Sequence, residues 1–197
     1  TVKRTDTAEL LEKRVKRKPV EIRSVSESRI VADGVGYLKI TKFGEQSKTE
    51  VESAAETLKF KGAQKLILDV RDNPGGTLEA VSEVASLFLE KGKLIVSIEA
   101  RRREDRQRLY SKAPNPFNNV PLEVLINEKS ASASEVLASA LKDHRRATLI
   151  GKKSFGKGSV QVLLSLEDGS AMRITTAEYR TPLGVSIHQK GIEPDIE

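Results

Sequence analysis

Residues 65–89 read KLILDVRDNPGGTLEAVSEVASLFL, and this stretch decides the fold class. Its first six residues form a nearly continuous apolar run, which is typical of a strand buried on both faces. The segment Asn73-Pro74-Gly75-Gly76 then breaks the strand, and from Leu78 to Leu89 the apolar residues return at helical spacing. A buried strand followed by a turn and a helix predicts an alternating α/β architecture.

The same alternation extends from about Val31 to the end of the chain. Helical spacing recurs over Thr49–Lys59 and over Ser134–Lys142. The loops are expected at Arg71–Thr77 and Ser111–Asn119, the latter because of its two prolines. Short strands are expected at Gly36–Ile40, Leu94–Ile98, Val124–Ile126, Ala147–Ile150, Ser159–Leu166 and Ala171–Ala177.

The first 25 residues have a different pattern from the rest of the chain. Thr1–Arg4 is expected to end a strand, Thr7–Val15 to be helical, and Pro19–Val25 to form a second strand. No complete core can be built from this segment alone. We therefore divide the chain into an N-terminal arm, residues 1–25, and a core, residues 26–197.

The composition limits the kinds of chemistry that the chain can perform. It has 197 residues, a net charge of +6, a pI of about 9.5 and no cysteine. Without cysteine, disulfides, thiolate catalysis and cysteine-based zinc sites are excluded. No apolar run approaches the ~20 residues of a membrane span. Because the chain begins at Thr1 and not at Met, we expect that an upstream segment has been removed.

Two basic clusters, Lys13–Lys18 and Arg101–Arg108, contribute much of the positive charge. Such clusters can bind nucleic acid. No aromatic residue lies among the arginines, so a platform for base stacking is not expected. We interpret the clusters as solvated loops or strand edges, where charge discourages aggregation, and expect no nucleic-acid partner.

Three serines alternate with alanines in Lys129-Ser130-Ala131-Ser132-Ala133-Ser134-Glu135, just before a predicted helix. Ser132 and Glu135 fit the capping-box pattern, so capping is one role for these serines. The small alanines would also let a substrate backbone approach a serine nucleophile. The positive end of the helix dipole would favour an oxyanion formed there. The spacing alone does not choose among the three serines.

Lys157 is the candidate base for such a serine, because the chain has only two histidines. It lies between Gly156 and Gly158, and it would become a competent base near neutral pH if it were buried. In an extended strand, Lys157 and Gln161 would point to the same face, so Gln161 could hold the amine. The alternative is an ordinary surface lysine in a turn.

The Gly75-Gly76 turn could supply half of an oxyanion hole, with the Ala133 N–H as the other half. A tight turn that needs glycine for its backbone conformation is an equally good explanation. Gly151–Gly158 nearly matches a phosphate-binding loop, but a strand-like segment follows where that loop requires a helix. His144 and His188 lack partners at metal-ligand spacing, so no metal site is expected.

Several motifs in order are similar to those of the carboxyl-terminal processing proteases, or tail-specific proteases, over roughly Val31–Glu197. They are Gly36-Tyr37-Leu38 with Phe43, Asp69–Gly76, Ser130–Glu135, Gly151 with Phe155–Gln161, Asp168-Gly169-Ser170, Thr181–Gly184 and Gly191–Ile196. The resemblance implies a spiral ββα core, as in crotonase and ClpP. It also implies that residues 1–25 are the last strands of a largely missing PDZ domain.

The resemblance also implies a serine endopeptidase that acts through an acyl-enzyme. It makes Ser132 the nucleophile, Lys157 the general base and Gln161 the residue that orients the base. Ala133 and either Gly75 or Gly76 would form the oxyanion hole, and Asp143 would have a supporting role. No cofactor or metal is implied.

The implied substrates are proteins with unstructured C-termini, cleaved near the C-terminus in the periplasm or the thylakoid lumen. An adaptor or self-association would fit the resemblance, as would membrane proximity conferred by an upstream segment. The alternative function is a non-catalytic or silenced binding domain of the same fold.

Overall fold

The computed structural model describes residues 23–197 and the backbone of two short strands before them, at 2–3 and 10–11. The strands and helices are β1 (Val2–Lys3), β2 (Leu10–Leu11), β3 (Val25–Ala32), β4 (Val35–Ile40), α1 (Ser47–Phe60), β5 (Lys65–Asp69), α2 (Leu78–Ser86), β6 (Leu94–Ala100), β7 (Gln107–Tyr110), β8 (Leu122–Ile126), α3 (Ala133–Asp143), β9 (Thr148–Gly151), β10 (Ser159–Ser165) and β11 (Ala171–Arg180). A 3-10 turn, Arg103–Asp105, separates β6 from β7.

Five strands form the central sheet in the order β3-β4-β5-β8-β9. Only β3 runs antiparallel to its neighbour, and the other pairs are parallel. Parallel neighbours need crossover connections, which α1 supplies between β4 and β5 and α3 between β8 and β9. The carboxyl ends of β5 and β8 consequently lie side by side, and the loops that follow them meet at one edge of the sheet.

The main core lies between this sheet and the three helices. Leu38, Leu68 and Val124 on the sheet are fully buried, as are Val84 and Leu137 on the helices. The alternation of buried and half-buried residues along β4 shows that one face of the strand is directed into this core. The second sheet has the order β10-β11-β6-β7 and is antiparallel throughout.

The predicted elements of the core are confirmed, with small shifts at their ends. The helix expected to reach Leu89 ends at Ser86, where turn hydrogen bonds to Val84 and Ala85 replace the helical pattern. Strand β3 was not predicted, because nearly all of its residues are exposed and leave no apolar alternation. The Arg101–Arg108 cluster lies on the exposed turn before β7 and on β7 itself, which is an edge strand.

Expectations for the N-terminal arm can be checked only at the described residues. Val2–Lys3 is a strand, as expected near Thr1–Arg4. The helix expected over Thr7–Val15 is wrong at Leu10–Leu11, which pair with β1, so strand pairing overrides the local propensity there. The strand expected over Pro19–Val25 lies mainly outside the described residues. The division at residue 25 stays a prediction.

Candidate active site

The three serines at the start of α3 have different environments. Ser130 and Ser134 are fully buried, and their hydroxyls donate to the Val70 and Asn73 carbonyl oxygens at 2.8 and 3.0 Å. Both serines therefore tie the start of α3 to the loop that follows β5. Ser132 is half-buried, and within residues 23–197 its hydroxyl donates no hydrogen bond. Only Ser132 presents a hydroxyl that is available for chemistry.

Ser132 also has an unusual backbone conformation, with φ 57° and ψ −115°. A non-glycine residue with positive φ is uncommon and costs on the order of 1–3 kcal/mol, and such strain tends to occur at functional sites. The residue precedes α3 directly, at the end where the helix dipole is positive. The backbone thus turns sharply at Ser132 and places its side chain at the sheet edge.

Glu135 is a fully buried carboxylate in the first turn of α3. Its Oε2 accepts from the Ser132 N–H at 2.8 Å, which is one half of the predicted capping box. The other half, from the Glu135 N–H to the Ser132 hydroxyl, is also present, so the predicted capping box is confirmed, and the same N–H donates to the Ser132 carbonyl oxygen at 2.9 Å.

The same carboxylate also holds the loop that carries Lys157. Its Oε2 accepts from the Lys157 N–H at 2.8 Å, and its Oε1 accepts from the Ser154 hydroxyl and the Gly156 N–H, both at 2.6 Å. Because Ser132 and Lys157 donate to one oxygen atom, their backbone nitrogens are no more than twice 2.8 Å apart. The structure therefore brings the backbones of Ser132 and Lys157 together.

The Lys157 side chain differs from the expectation in one respect, because it is exposed and not buried. Within residues 23–197 its amine makes no hydrogen bond or ion pair. Gln161, the residue expected to hold it, is exposed and points its amide toward Thr175 Oγ1 at 3.4 Å. The position of Lys157 relative to Gln161 along a strand therefore did not predict the surroundings of the amine.

The backbone around Lys157 is nevertheless tightly fixed. The Gly156 carbonyl oxygen accepts from the Gln189 N–H at 2.8 Å, and the Gly158 carbonyl oxygen accepts from the Tyr179 N–H at 2.7 Å. A Cβ at Gly158 would collide with the backbone of His188, so glycine is required for this close approach. These contacts hold the loop against the end of β11 and the segment that follows it.

The Asp72–Gly76 loop lies directly against Ser132. Gly75 has φ 106°, and a Cβ there would lie 2.7 Å from the Ala131 carbonyl oxygen and 2.9 Å from the Ala133 nitrogen. Asn73 is fully buried and ties this loop to its surroundings, because its amide donates to the Ile40 carbonyl oxygen and its Oδ1 accepts from the Gly75 N–H. The Asp69–Gly76 motif was identified from the sequence, but Asn73 was not predicted as a site residue.

Of the two glycines, the hydrogen bonds favour Gly76 as an oxyanion donor. The Gly75 N–H is already engaged by Asn73 Oδ1 at 2.8 Å. Within residues 23–197, neither the Gly76 N–H nor the Ala133 N–H donates to an acceptor. Phe43 fixes Gly76 from the other side, because its N–H donates to the Gly75 carbonyl oxygen and its carbonyl oxygen accepts from the Thr77 N–H.

A polar network lies at the base of the same loop. Arg71 makes a bidentate pair with the buried Asp69 at 3.0 and 2.7 Å, and the Tyr37 hydroxyl donates to Asp69 at 2.6 Å. Burial by itself raises the pKa of Asp69, but hydrogen bonds from Arg71 and Tyr37 outweigh it and lower that pKa. Burial, reinforced by Asp69, raises the pKa of Tyr37 to about 12.

Asp143 and His144 lie apart from this cluster, whereas the backbone of His188 lies against Gly158. Asp143 ends α3, about 16 Å from the helix start at the usual rise per residue, and its carboxylate accepts from the Leu183 N–H at 2.9 Å. His144 Nε2 is 2.7 Å from the Leu94 carbonyl oxygen, and His188 lies in a loop. The structure thus gives Asp143 a loop-holding contact, and a role in catalysis stays a prediction.

Three further features of the described residues bear on the function. Within the described residues, no group of three or more His, Cys, Asp or Glu side chains is placed to hold a metal ion. The Gly151–Gly158 segment leads into β10 and not into a helix, which argues against a phosphate-binding loop. No helix in the described part of the chain is long and apolar enough to cross a membrane.

Comparison with known proteins adds to this geometry. Residues 34–197 match the model of peptidase family S41. The chain is 42% identical over 161 residues to a carboxyl-terminal-processing protease of Picosynechococcus sp., which covers 82% of this chain and 38% of that protein. It is 42% identical over 200 aligned positions to a carboxy-terminal-processing protease of Bartonella bacilliformis, covering 100% of this chain and 45% of that protein.

Solved structures show the same similarity. The photosystem II D1 C-terminal processing protease superposes with a TM-score of 0.79 and 33% identity, over 91% of this chain and 49% of that one. A putative S41 protease from Bacteroides fragilis has a TM-score of 0.74 at 20% identity, over 91% and 52%, which bears on the fold alone. The predicted fold class is confirmed. The chain spans less than half the length of the two curated relatives.

Proposed function

Since the chain belongs to peptidase family S41, we propose that it is a serine endopeptidase in which Ser132 and Lys157 form the catalytic dyad. The observation that carries the proposal is the shared Glu135 oxygen, which bonds the backbone N–H of both residues at 2.8 Å. The availability of the Ser132 hydroxyl also supports the proposal, because the hydroxyls of Ser130 and Ser134 already donate hydrogen bonds to carbonyl oxygens.

Acylation would begin when neutral Lys157 accepts the Ser132 hydroxyl proton as Oγ attacks the scissile carbonyl carbon. The negative charge that develops on the carbonyl oxygen would be stabilised by the Ala133 and Gly76 N–H groups and by the helix dipole. The tetrahedral intermediate then expels the amine. The C–N bond breaks, the Lys157 ammonium returns its proton to the leaving nitrogen, and the acyl-enzyme remains.

Deacylation would repeat these steps with water as the nucleophile. Lys157 accepts a proton from water, the hydroxide attacks the ester carbon, and the same two N–H groups stabilise the second oxyanion. Collapse breaks the bond to Oγ, and Lys157 returns the proton to Ser132. Each cycle hydrolyses one peptide bond and regenerates the starting protonation states.

The substrates would be proteins with unstructured C-termini, cleaved near that end outside the cytoplasm, in the periplasm or the thylakoid lumen. This proposal is supported by the names of the relatives, which describe carboxyl-terminal processing. An extended substrate could add as a strand beside the sheet, where main-chain hydrogen bonds give affinity. An adaptor, self-association and membrane proximity through an upstream segment are compatible with it.

One observation favours the alternative of a silenced domain. Lys157 is exposed, and its predicted partner Gln161 points away to Thr175. In this alternative the site has its backbone in place, but the amine has to be enclosed before it can act.

The experiment that tests the proposal compares casein cleavage by the chain and by Ser132→Ala and Lys157→Ala. We expect both variants to lose activity by a factor of about 10³ or more, because each removes a member of the dyad. Lys153→Ala is the matched control, since Lys153 is an exposed lysine nearby that pairs with Glu193. Retained cleavage in Lys157→Ala contradicts the dyad, and an inactive parent chain favours the silenced domain.

A further inference from the structure

We infer that Glu135 is a positioning residue of the proposed site, acting through Ser132 and Lys157 and not on the substrate. The inference rests on the proposed function. It starts from the buried carboxylate, which joins two segments 22 residues apart in the chain. Its contacts extend beyond the needs of a helix cap.

A capping role accounts for only one of the four hydrogen bonds. A capping-box glutamate needs only the N–H of the cap residue, here Ser132. The other three donors, Ser154 Oγ, Gly156 N and Lys157 N, come from the loop between β9 and β10. The carboxylate therefore fixes a second segment with three times as many bonds as it uses for the cap.

The chemistry of the four partners explains why a carboxylate occupies this position. All four donate, and a carboxylate offers two oxygens with about four acceptor positions and no donor. A buried charge is costly unless it is hydrogen-bonded, and here the bonds and the positive end of α3 offset that cost. An amide of the same shape has one accepting oxygen only, and its NH2 group would face donors.

The division of the bonds between the two oxygens links this residue to catalysis. Oε2 accepts from Ser132 and Lys157, so it sets the spacing of the nucleophile and the base. Oε1 accepts from Ser154 and Gly156, which anchors the carboxylate itself. Ser154 is held in turn by the Ile192 N–H at 2.7 Å. Replacing Glu135 should therefore shift Lys157 relative to Ser132, and a shift of about 1 Å can lower a rate about 10²-fold.

The test is the labelling of Ser132 by a fluorescent fluorophosphonate, which forms an O–P bond, releases fluoride and requires no protein substrate. Two quantities are measured for the chain and for Glu135→Gln: the maximal labelling rate and the fraction labelled at the end point. A residue with a purely structural role changes the folded fraction and so the end point. A positioning residue changes the rate. We expect a rate about 10²-fold lower, with an end point equal to that of the parent chain.

Glu50→Gln is the matched control. Glu50 is also a first-turn helix carboxylate, and it accepts from two backbone N–H groups of a distant segment, Ser24 and Val25, both at 2.9 Å. It does not contact Ser132 or Lys157. We expect this variant to lose some thermal stability while its labelling rate stays within about twofold of the parent, as for a site outside the transition state.

Each outcome decides the inference. An unchanged labelling rate in folded Glu135→Gln contradicts it and leaves the proposed function intact. A parent chain that is not labelled contradicts the proposed function and the inference with it. If Glu135→Gln does not fold, Ser154→Ala replaces it, because this change removes one anchor of Oε1 and the acceptor of the Ile192 N–H, and leaves the other three bonds to Glu135 in place. A rate lowered about tenfold at full end point then supports the inference, and an unchanged rate overturns it.

Discussion

At the residue scale, a comparison of two glycines separates the cost of a positive φ from the cost of crowding by neighbouring atoms. Gly75 and Gly92 both have positive φ, 106° and 82°. Only Gly75 lies against other atoms, namely Ala131 and Ser132–Ala133, whereas nothing lies within 4 Å of a Cβ at Gly92. Substitutions at Gly75 and Gly92 therefore differ only in the contact that Gly75 makes with the segment of the proposed nucleophile.

We predict that Gly92→Ala lowers the free energy of unfolding by about 1–2 kcal/mol, from backbone conformation alone. Gly75→Ala should cost about 3 kcal/mol, because overpacking is added. It should also slow Ser132 labelling, since the Ala133 segment must move. Urea denaturation and the labelling assay measure the two effects. Equal unfolding free energies for the two variants would contradict the close approach.

At the element scale, the side chains of Tyr37 on β4, Asp69 on β5 and Arg71 just after β5 connect neighbouring parts of the central sheet. Tyr37 has a pKa of about 12 when folded and about 10 when unfolded. A raised pKa means that the neutral phenol is favoured by folding. Its contribution to stability is complete below pH 10 and is lost as the pH rises from about 10 to 12. The contribution of Asp69 to stability has the opposite pH dependence. Because its pKa is lowered by folding, that contribution is lost as the pH falls into the acid range.

We predict that Tyr37→Phe lowers the free energy of unfolding by about 1.5 kcal/mol at pH 7, the lower end of the usual range for a hydrogen bond to a charged group. The variant should also lose part of the decline in stability between pH 10 and 12. Denaturation curves at pH 7, 10 and 11.5 for both proteins measure this. The same decline in parent and variant would show that other groups cause it.

At the scale of the whole molecule, the β10–β11 hairpin is the least covered part of the described chain. Only Ala177–Arg180 of β11 pairs with β6, so the distal part is two-stranded. Leu163 is 63% exposed there, and β10 is an edge strand without a charged side chain. Edge strands of this kind can pair with another chain. The net charge of +6 opposes such pairing and is screened by salt.

We predict that the chain self-associates through this hairpin as the salt concentration rises from about 0.02 to 0.5 M, because the Debye length falls from about 20 to 4 Å. Leu163→Lys should suppress the effect by placing a charge on the edge. Phe60→Lys, at a 93% exposed position on α1, is the control for added charge alone. Sedimentation velocity measures the mass. Equal salt dependence in the Leu163→Lys and Phe60→Lys variants would contradict association through β10.

The residues that the sequence proposed for the candidate site belong to short local motifs. A serine–alanine run before a helix and a glycine pair after a buried strand each have a meaning that depends on neighbours a few positions away. The alternation of apolar residues likewise predicted the strands and helices of the core, because buried faces impose a period of two or 3.6 residues. The exposed strand β3 escaped prediction because burial imposes no pattern on it.

The sequence by itself therefore determined the α/β class and proposed Lys157, Ala133 and the Gly75–Gly76 turn, and the resemblance of its motifs singled out Ser132 among three serines. Only the tertiary structure decided which serine hydroxyl is available, that the Gly75 N–H is occupied, and that Lys157 is exposed away from Gln161. It also gave Glu135 its bonds to the Lys157 loop, where the sequence showed only a helix cap. The physical reason is that hydrogen bonds between residues about 20 to 60 positions apart depend on how β5, α3 and the Lys157 loop meet at one sheet edge, which no local pattern encodes.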